Sequence, residues 1–245
     1  MVPVSSPPLR LDSYDAVLFD LDGVITPTAE VHMRAWTVLF DDFLRERGIT
    51  EPYTDADYFA HVDGKPRYDG VRDFLASRRI ELPEGSPQDG SDAQSVAGLG
   101  NRKNDVFAGI LRTDGVQAYP GSLRVLDQLA VAGTAVAVVS SSRNARAVLE
   151  AAGIVERFEV VVDGTVAAER GLAGKPAPDT FWDAARQLGA AVERCAVVED
   201  AVSGVAAGRA GRFGLVVGVD RGAGAVALQD AGADVVVGDL AQLVP

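Results

Sequence analysis

DAVLFDLDGVITP, from Asp15 to Pro27, opens with the apolar run Ala16, Val17, Leu18 and Phe19 and then breaks into acids and a glycine. A short run that is apolar at every position marks a parallel strand buried on both faces. Asp20 and Asp22 stand two residues apart at its carboxyl end, and Gly23 permits a sharp turn there. Open α/β sheets bind their ligands at that end of the strands. Two acids crowded at such a spot repel each other unless a cation or a proton intervenes. Asp20 therefore reads as an ionised nucleophile and Mg2+ ligand, and Asp22 as a general acid/base that would meet the metal through its backbone carbonyl rather than its carboxylate. Asp also caps turns in every kind of fold, and Asp-x-Asp alone does not separate the two readings.

A chain of 245 residues with 47% hydrophobic content can hold one large domain, or a core with a smaller insert. It contains no apolar run of the roughly eighteen residues that a membrane-spanning helix needs. The first thirteen residues, MVPVSSPPLRLDS, lack the apolar centre of a secretory signal and read as a disordered, proline-rich lead-in. The single cysteine, Cys195, has no partner for an internal disulfide, which agrees with a reducing, cytoplasmic location. It lies in CAVVED and reads as a buried thiol. A net charge of -12 argues against a nucleic-acid footprint. Any anion site must then be local, because salt screens charges beyond roughly 8 to 10 Å.

After Pro27 the pattern becomes helical, with Val31, Ala35, Val38, Leu39 and Leu44 on one face and Gly48 as a stop. No buried strand is evident from Thr28 to Asp114, and helices are expected over Tyr68–Arg79 and Asn104–Arg112. Leu82 to Gly100, LPEGSPQDGSDAQSVAGLG, reads as a long surface loop. From Tyr119 onward apolar strands alternate with helices of about ten residues, the pattern of a doubly wound parallel sheet. The expected architecture is an α/β Rossmann-like core over 14–27 and 115–245, interrupted by a helical cap over 28–114. Links near Thr26–Pro27 and Thr113–Val116 would form a hinge.

Three further stretches carry chemistry. Ser140, Ser141, Ser142, Arg143 and Asn144 follow the second strand, where hydroxyls and free backbone N–H groups at a helix start make an anion cradle. Lys175, in GKPAPD, is a compact positive charge ahead of a helix, and Glu199 and Asp200 end the apolar run of CAVVED. Serines as caps, a solvated lysine and acids at a helix start are the plain alternatives.

FDLDGV, VVSSSRN, GKPAPD and VVED, each expected at the carboxyl end of a strand, resemble in order the four motifs of the haloacid dehalogenase-like phosphohydrolase superfamily. They are most similar to its β-phosphoglucomutase-like branch, over nearly all of Asp15 to Leu240. The resemblance implies phosphoryl transfer through an aspartyl-phosphate on Asp20, with Asp22 as acid/base and Lys175 as counter-charge. It also implies Ser140 on the phosphate, Arg143 and Asn144 beside the substrate, and Mg2+ on Asp200 with help from Glu199. Where relatives often carry Ser after that pair this chain has Ala201.

In the cap, VHMRAW resembles the same branch and brings His32 and Trp36 toward the acid/base region. Gly64, Lys65, Pro66 and Arg67 form one basic loop, and Arg102, Lys103 and Asn104 another. Arg67, Lys103 and Asn104 fall where relatives grip the phosphate that is not being transferred, whereas Lys65 and Arg102 read equally as solvated charge. A second phosphate site implies a mutase acting on a small-molecule sugar phosphate, interconverting β-glucose 1-phosphate and glucose 6-phosphate. A phosphatase of the same fold, or an inactive sugar-phosphate sensor, is the alternative. No nucleic-acid or membrane partner is expected, and a monomer is.

Overall fold

The structure is a computed structural model that describes residues 10–244. Six parallel strands form one sheet in the order β3-β2-β1-β4-β5-β6. They are β1 Ala16–Phe19, β2 Ala135–Val139, β3 Val160–Val162, β4 Cys195–Glu199, β5 Leu215–Val219 and β6 Val235–Val237. β1 is buried at every position between β2 and β4, which explains its unbroken apolar run. The strand order reverses beside β1, and the crevice outside such a reversal is where open sheets take ligands.

Alternate residues serve the two faces of the sheet. Val17, Phe19, Val138 and Val198 pack against Val125, Leu126 and Leu129 of α5 (Pro120–Ala132) and against α6 (Ala145–Ala151). Leu18, Val139, Val162 and Val197 pack on the other face. Phe181, Ala184 and Ala185 of α8 (Asp179–Gln187) and Ala207 of α9 (Val202–Ala210) cover them. Two short helices escaped the sequence reading: α7 (Gly164–Arg170), capped by Asp163, and α10 (Ala225–Ala231). α7 separates Lys175 from β3, so the third motif sits on a loop before α8 rather than at a strand end.

The segment between β1 and α5 holds α1 (Thr28–Glu46), α2 (Asp55–Asp57) running into a π-helical turn, α3 (Arg67–Ser77) and α4 (Val96–Asp114). It has its own core, in which Trp36, Phe40 and Phe43 of α1 meet Phe74 of α3 and Leu99 of α4. Phe40 and Phe74 ring centroids lie 4.0 Å apart. The long loop stops at Ser95, short of the expected Gly100. Ser95 accepts from the Gly98 amide at 3.0 Å and starts α4 there. The glycines that suggested a loop answer a packing need instead. A Cβ on Gly98 would lie 2.2 Å from the Ala93 carbonyl oxygen.

At the amino end, residues 1–9 of the expected disordered lead-in lie outside the described residues. Residues 10–13 do not bear it out, because Leu11–Ser13 form a 3-10 turn that buries Leu11 in the core beside α5. Cys195 is buried, and burial pushes its thiol up to about 11. No helix of the described residues is long and apolar enough to cross a membrane.

Candidate active site

Strand register assembles the site. Phe19 stands opposite Val138 of β2 and Val198 of β4, so Asp20, Ser140, Glu199 and Asp200 emerge at one edge of the sheet. The Asp20 amide donates to the Val198 carbonyl at 2.9 Å, which continues the ladder one residue into the motif. Gly23, at φ +82, then folds the chain over Asp200; a Cβ there would lie 1.8 Å from Asp200 Oδ2. Gly204 does the same for Glu199, whose Oε1 lies 1.8 Å from where a Cβ would be.

Lys175 is the buried cation of this edge. Its Nζ donates to Asp20 Oδ1 and Glu199 Oε1, each at 2.5 Å, and to the Val139 carbonyl at 3.0 Å. Burial would lower its ammonium, but Asp20 and Glu199 raise it above its ordinary value, so it stays charged. One ammonium does not balance the acids around it. Burial, with Glu199 and Asp22 adding repulsion against the opposing pull of Lys175, pushes Asp20 well above the usual carboxylate range. Burial, Asp63, Glu199 and Asp20 do the same to Asp200. Asp20, Glu199 and Asp200 each offer an oxygen within 4.8 Å of the others, a cluster that fits a metal ion. Glu199 already uses both oxygens, on Lys175 and on the Ala201 amide at 2.9 Å. Asp200 accepts no hydrogen bond among the described residues.

The Asp22 carboxylate lies outside that cluster, which leaves its backbone carbonyl as the atom expected to meet a metal. The carboxylate is turned toward α1, with donors from both the cap and the core on its oxygens. Thr28 Oγ1 donates to Oδ1, Ser140 Oγ lies 3.3 Å from Oδ2, and His32 Nε2 is 3.4 Å from Oδ1. Burial would raise Asp22, but His32, the Thr28 hydroxyl and Lys103 outweigh it and hold the acid at about 2. Lys103 is buried, touches His32 Nδ1, and lies 5.2 Å from the Trp36 ring centroid. Burial and Arg67 bring its ammonium down to about 7 against the pull of Asp22.

The loop ahead of α3 seats the cap on three core motifs. Ser203 donates to the Asp63 carbonyl at 3.2 Å, and Ser141 to the Gly64 carbonyl at 2.8 Å. A Cβ on Gly174 would lie 2.4 Å from Pro66. Asn144 adds a fourth link, donating to Asn104 Oδ1 at 2.8 Å. The chamber enclosed is about 70 Å3, well under the roughly 300 Å3 of an ordinary ligand pocket. The helical segment is therefore closed over the site.

The candidate catalytic, metal and substrate-binding residues all line this chamber except Ser140 and Lys175, which stand behind Asp22 and Asp20. Lys65 lines it but pairs with Asp73 at 2.5 Å, and Arg102 pairs with Glu46 outside it. Arg67 and Arg143 form no ion pair among the described residues, although acids outnumber bases in the chain. The sequence reading missed Thr28, Asp63, Ser203 and Arg221. Arg221 lies 4.0 Å from the Tyr119 ring centroid and donates to the Gly23 carbonyl at 2.9 Å. Asp63, pushed up to about 7 by burial and Glu199, adjoins a loop that the sequence did flag; Arg221 carries no local signal.

A parallel sheet that brings a metal-fitting acid cluster and a buried lysine beneath a helical cap defines a class of phosphotransfer fold, and the chain belongs to the haloacid dehalogenase-like hydrolase family. The family's model matches residues 14–212. Within it, the chain is 52% identical over 237 residues to the β-phosphoglucomutase of Mycobacterium tuberculosis, covering 93% of this chain and 90% of that protein. It is 33% identical over 204 residues to the β-phosphoglucomutase of Bacillus subtilis, 83% of each. The crystal structure of β-phosphoglucomutase from Clostridium difficile shares the fold, with a TM-score of 0.75 at 24% identity over 94% of this chain and 93% of that one.

Proposed function

We propose that this protein is a Mg2+-dependent β-phosphoglucomutase that interconverts β-D-glucose 1-phosphate and glucose 6-phosphate through the 1,6-bisphosphate. The observation that carries the reading is the pair of guanidiniums, Arg67 and Arg143, free of carboxylates at the chamber wall. A phosphatase binds one phosphate and admits water. A mutase must hold a second phosphate while the first reacts, and paired N–H donors suit that task. Kinship at 52% identity to a β-phosphoglucomutase supports the same reading.

In the cycle, phospho-Asp20 gives its phosphoryl group to the sugar 6-hydroxyl. The bond from phosphorus to the Asp20 oxygen breaks as the bond to O6 forms, and Asp22, ionised and oriented by Thr28 and His32, takes the hydroxyl proton. The bisphosphate then reverses end for end: the bond from phosphorus to O1 breaks as the bond to the Asp20 oxygen forms, Asp22 returns its proton to O1, and glucose 6-phosphate leaves. Lys175 and the amides of the Ser140–Asn144 turn balance charge on the moving group. Mg2+, held by Asp20, Asp200 and the Asp22 backbone carbonyl with Glu199 alongside, would supply the remaining positive charge. Residues 28–114 act as the moving cap, whose closure keeps water from the acyl phosphate. The protein works in the cytoplasm as a monomer, on small sugar phosphates and without nucleic acid.

The test is incubation with Mg2+, a trace of glucose 1,6-bisphosphate and each anomer of glucose 1-phosphate. The β anomer should yield glucose 6-phosphate with little free phosphate; free phosphate without isomerisation means a phosphatase. Arg67→Ala should cost mutase turnover about a hundredfold and hydrolysis of a small aryl phosphate far less. Equal losses would remove the second-phosphate role. Gly64→Ala should hold the cap off the core, because Gly64 has φ +67 and its Cβ would lie 2.3 Å from Ser203 Oγ. Mutase turnover should fall about tenfold while the share of phosphoryl groups lost to water rises. An unchanged ratio of hydrolysis to transfer would take this loop out of closure.

A further inference from the structure

Tyr68 is the residue between the two free guanidiniums. Arg67 lies 5.5 Å from its ring centroid and Arg143 5.7 Å, one from the cap and one from the core. Two like charges repel, and burial together with Arg143 brings the Arg67 guanidinium below its ordinary value; an aromatic face is one of the few neutral groups that attracts both. Arg67 and Arg143 line the reaction chamber and also a wider outer cleft of about 750 Å3, whereas Tyr68 lines the cleft alone. Tyr68 therefore does not meet a ligand in the chamber and can act on it only through the arginines.

The ring is fixed from behind. Its hydroxyl donates to Asn101 Oδ1 at 2.9 Å. Asn101 spends both amide protons on the loop after α3, donating to the Asp89 carbonyl at 2.9 Å and the Pro87 carbonyl at 3.2 Å. With its nitrogen held by two carbonyls, the amide can turn only its oxygen to Tyr68. Asp89 is tied in turn to Ser95, the cap of α4, at 2.5 Å. The floor is Gly100, where a Cβ would lie 2.6 Å from the ring. Pro87, Asp89, Ser95 and Gly100 of LPEGSPQDGSDAQSVAGLG thus bear on the placement of one aromatic ring.

We propose that Tyr68 is a positioning residue for the second phosphate site: the 82–95 loop, acting through Asn101, sets the ring that holds Arg67 and Arg143 side by side on the phosphate not being transferred. This rests on the mutase reading, and one set of binding measurements separates the two. In an Asp20→Asn background with MgCl2, so that no phosphoryl group moves, calorimetry gives Kd for glucose 1,6-bisphosphate and for inorganic phosphate. The background protein should bind the bisphosphate at least about tenfold more tightly. Adding Tyr68→Leu should weaken bisphosphate binding about tenfold and inorganic phosphate far less. Tyr68→Phe keeps the ring and should retain most of the preference. Asn101→Ala should match Tyr68→Phe, and the double variant should be no worse than either, because both cut one link.

No preference for the bisphosphate in the background protein would overturn the mutase reading and this inference together. A preference that survives Tyr68→Leu, or a Tyr68→Leu protein that loses both ligands equally, would overturn the inference alone. Should Tyr68→Leu fail to fold, additive losses from Tyr68→Phe and Asn101→Ala would overturn it equally well.

Discussion

Asp20→Asn should leave a folded protein that forms no phosphoenzyme and turns over at least about 10^4-fold more slowly. The amide occupies the same volume at the end of β1 but has no anionic oxygen to attack phosphorus. It also removes one of the two carboxylates on Lys175, which lightens the repulsion among buried acids rather than adding to it. Stability should therefore hold while chemistry disappears. Mass spectrometry of protein trapped with acetyl phosphate reads the first effect and coupled turnover assays the second. Isomerisation near the parental rate would exclude Asp20 as the nucleophile.

Lys175→Met should cost about 10^3-fold in turnover, and unlike the first substitution it should also change the melt. Without the ammonium, Asp20 and Glu199 are buried with no ion-pair partner among the described residues. Breaking a buried pair in this way costs about 3 to 5 kcal/mol. A divalent ion placed among Asp20, Glu199 and Asp200 would offset part of that loss. Denaturant melts of the variant should accordingly show a deep deficit in EDTA and a shallower one in MgCl2. A melt indifferent to both the substitution and the metal would mean that Lys175 does not hold these carboxylates in place.

How much of this was readable in advance differs by residue type. The sheet was legible because strands buried on both faces must be apolar throughout, and AVLF and CAVVE contain nothing else before their acids. Three of the four motifs were legible because register forces their residues to one edge; GKPAPD, on a loop before α8, was legible only through its resemblance. The extent of α4 was not, because Gly98 and Gly100 look like loop residues until their neighbours, Ala93 and Tyr68, are known. The part Thr28 plays in orienting Asp22 also escaped. Whether a carboxylate faces a metal or a lid depends on Thr28 and His32, which approach only once the chain has folded back. Arg221 is the extreme case, since it follows β5 and reaches past β4 to Gly23 after β1, a contact that leaves no trace in local sequence.

The placement of β1 has a consequence for how the chain is made. It leaves the ribosome first of all the strands, yet its hydrogen-bonding neighbours begin at Ala135 and Cys195. Until those emerge, AVLF is an unpaired, wholly apolar ribbon, while the four helices behind it can already bury Trp36, Phe40, Phe43 and Phe74 among themselves. Local contacts form before distant ones. The lid should thus be the first part to take shape during synthesis, and the strand that bears the nucleophile should wait for the last third of translation to find its place.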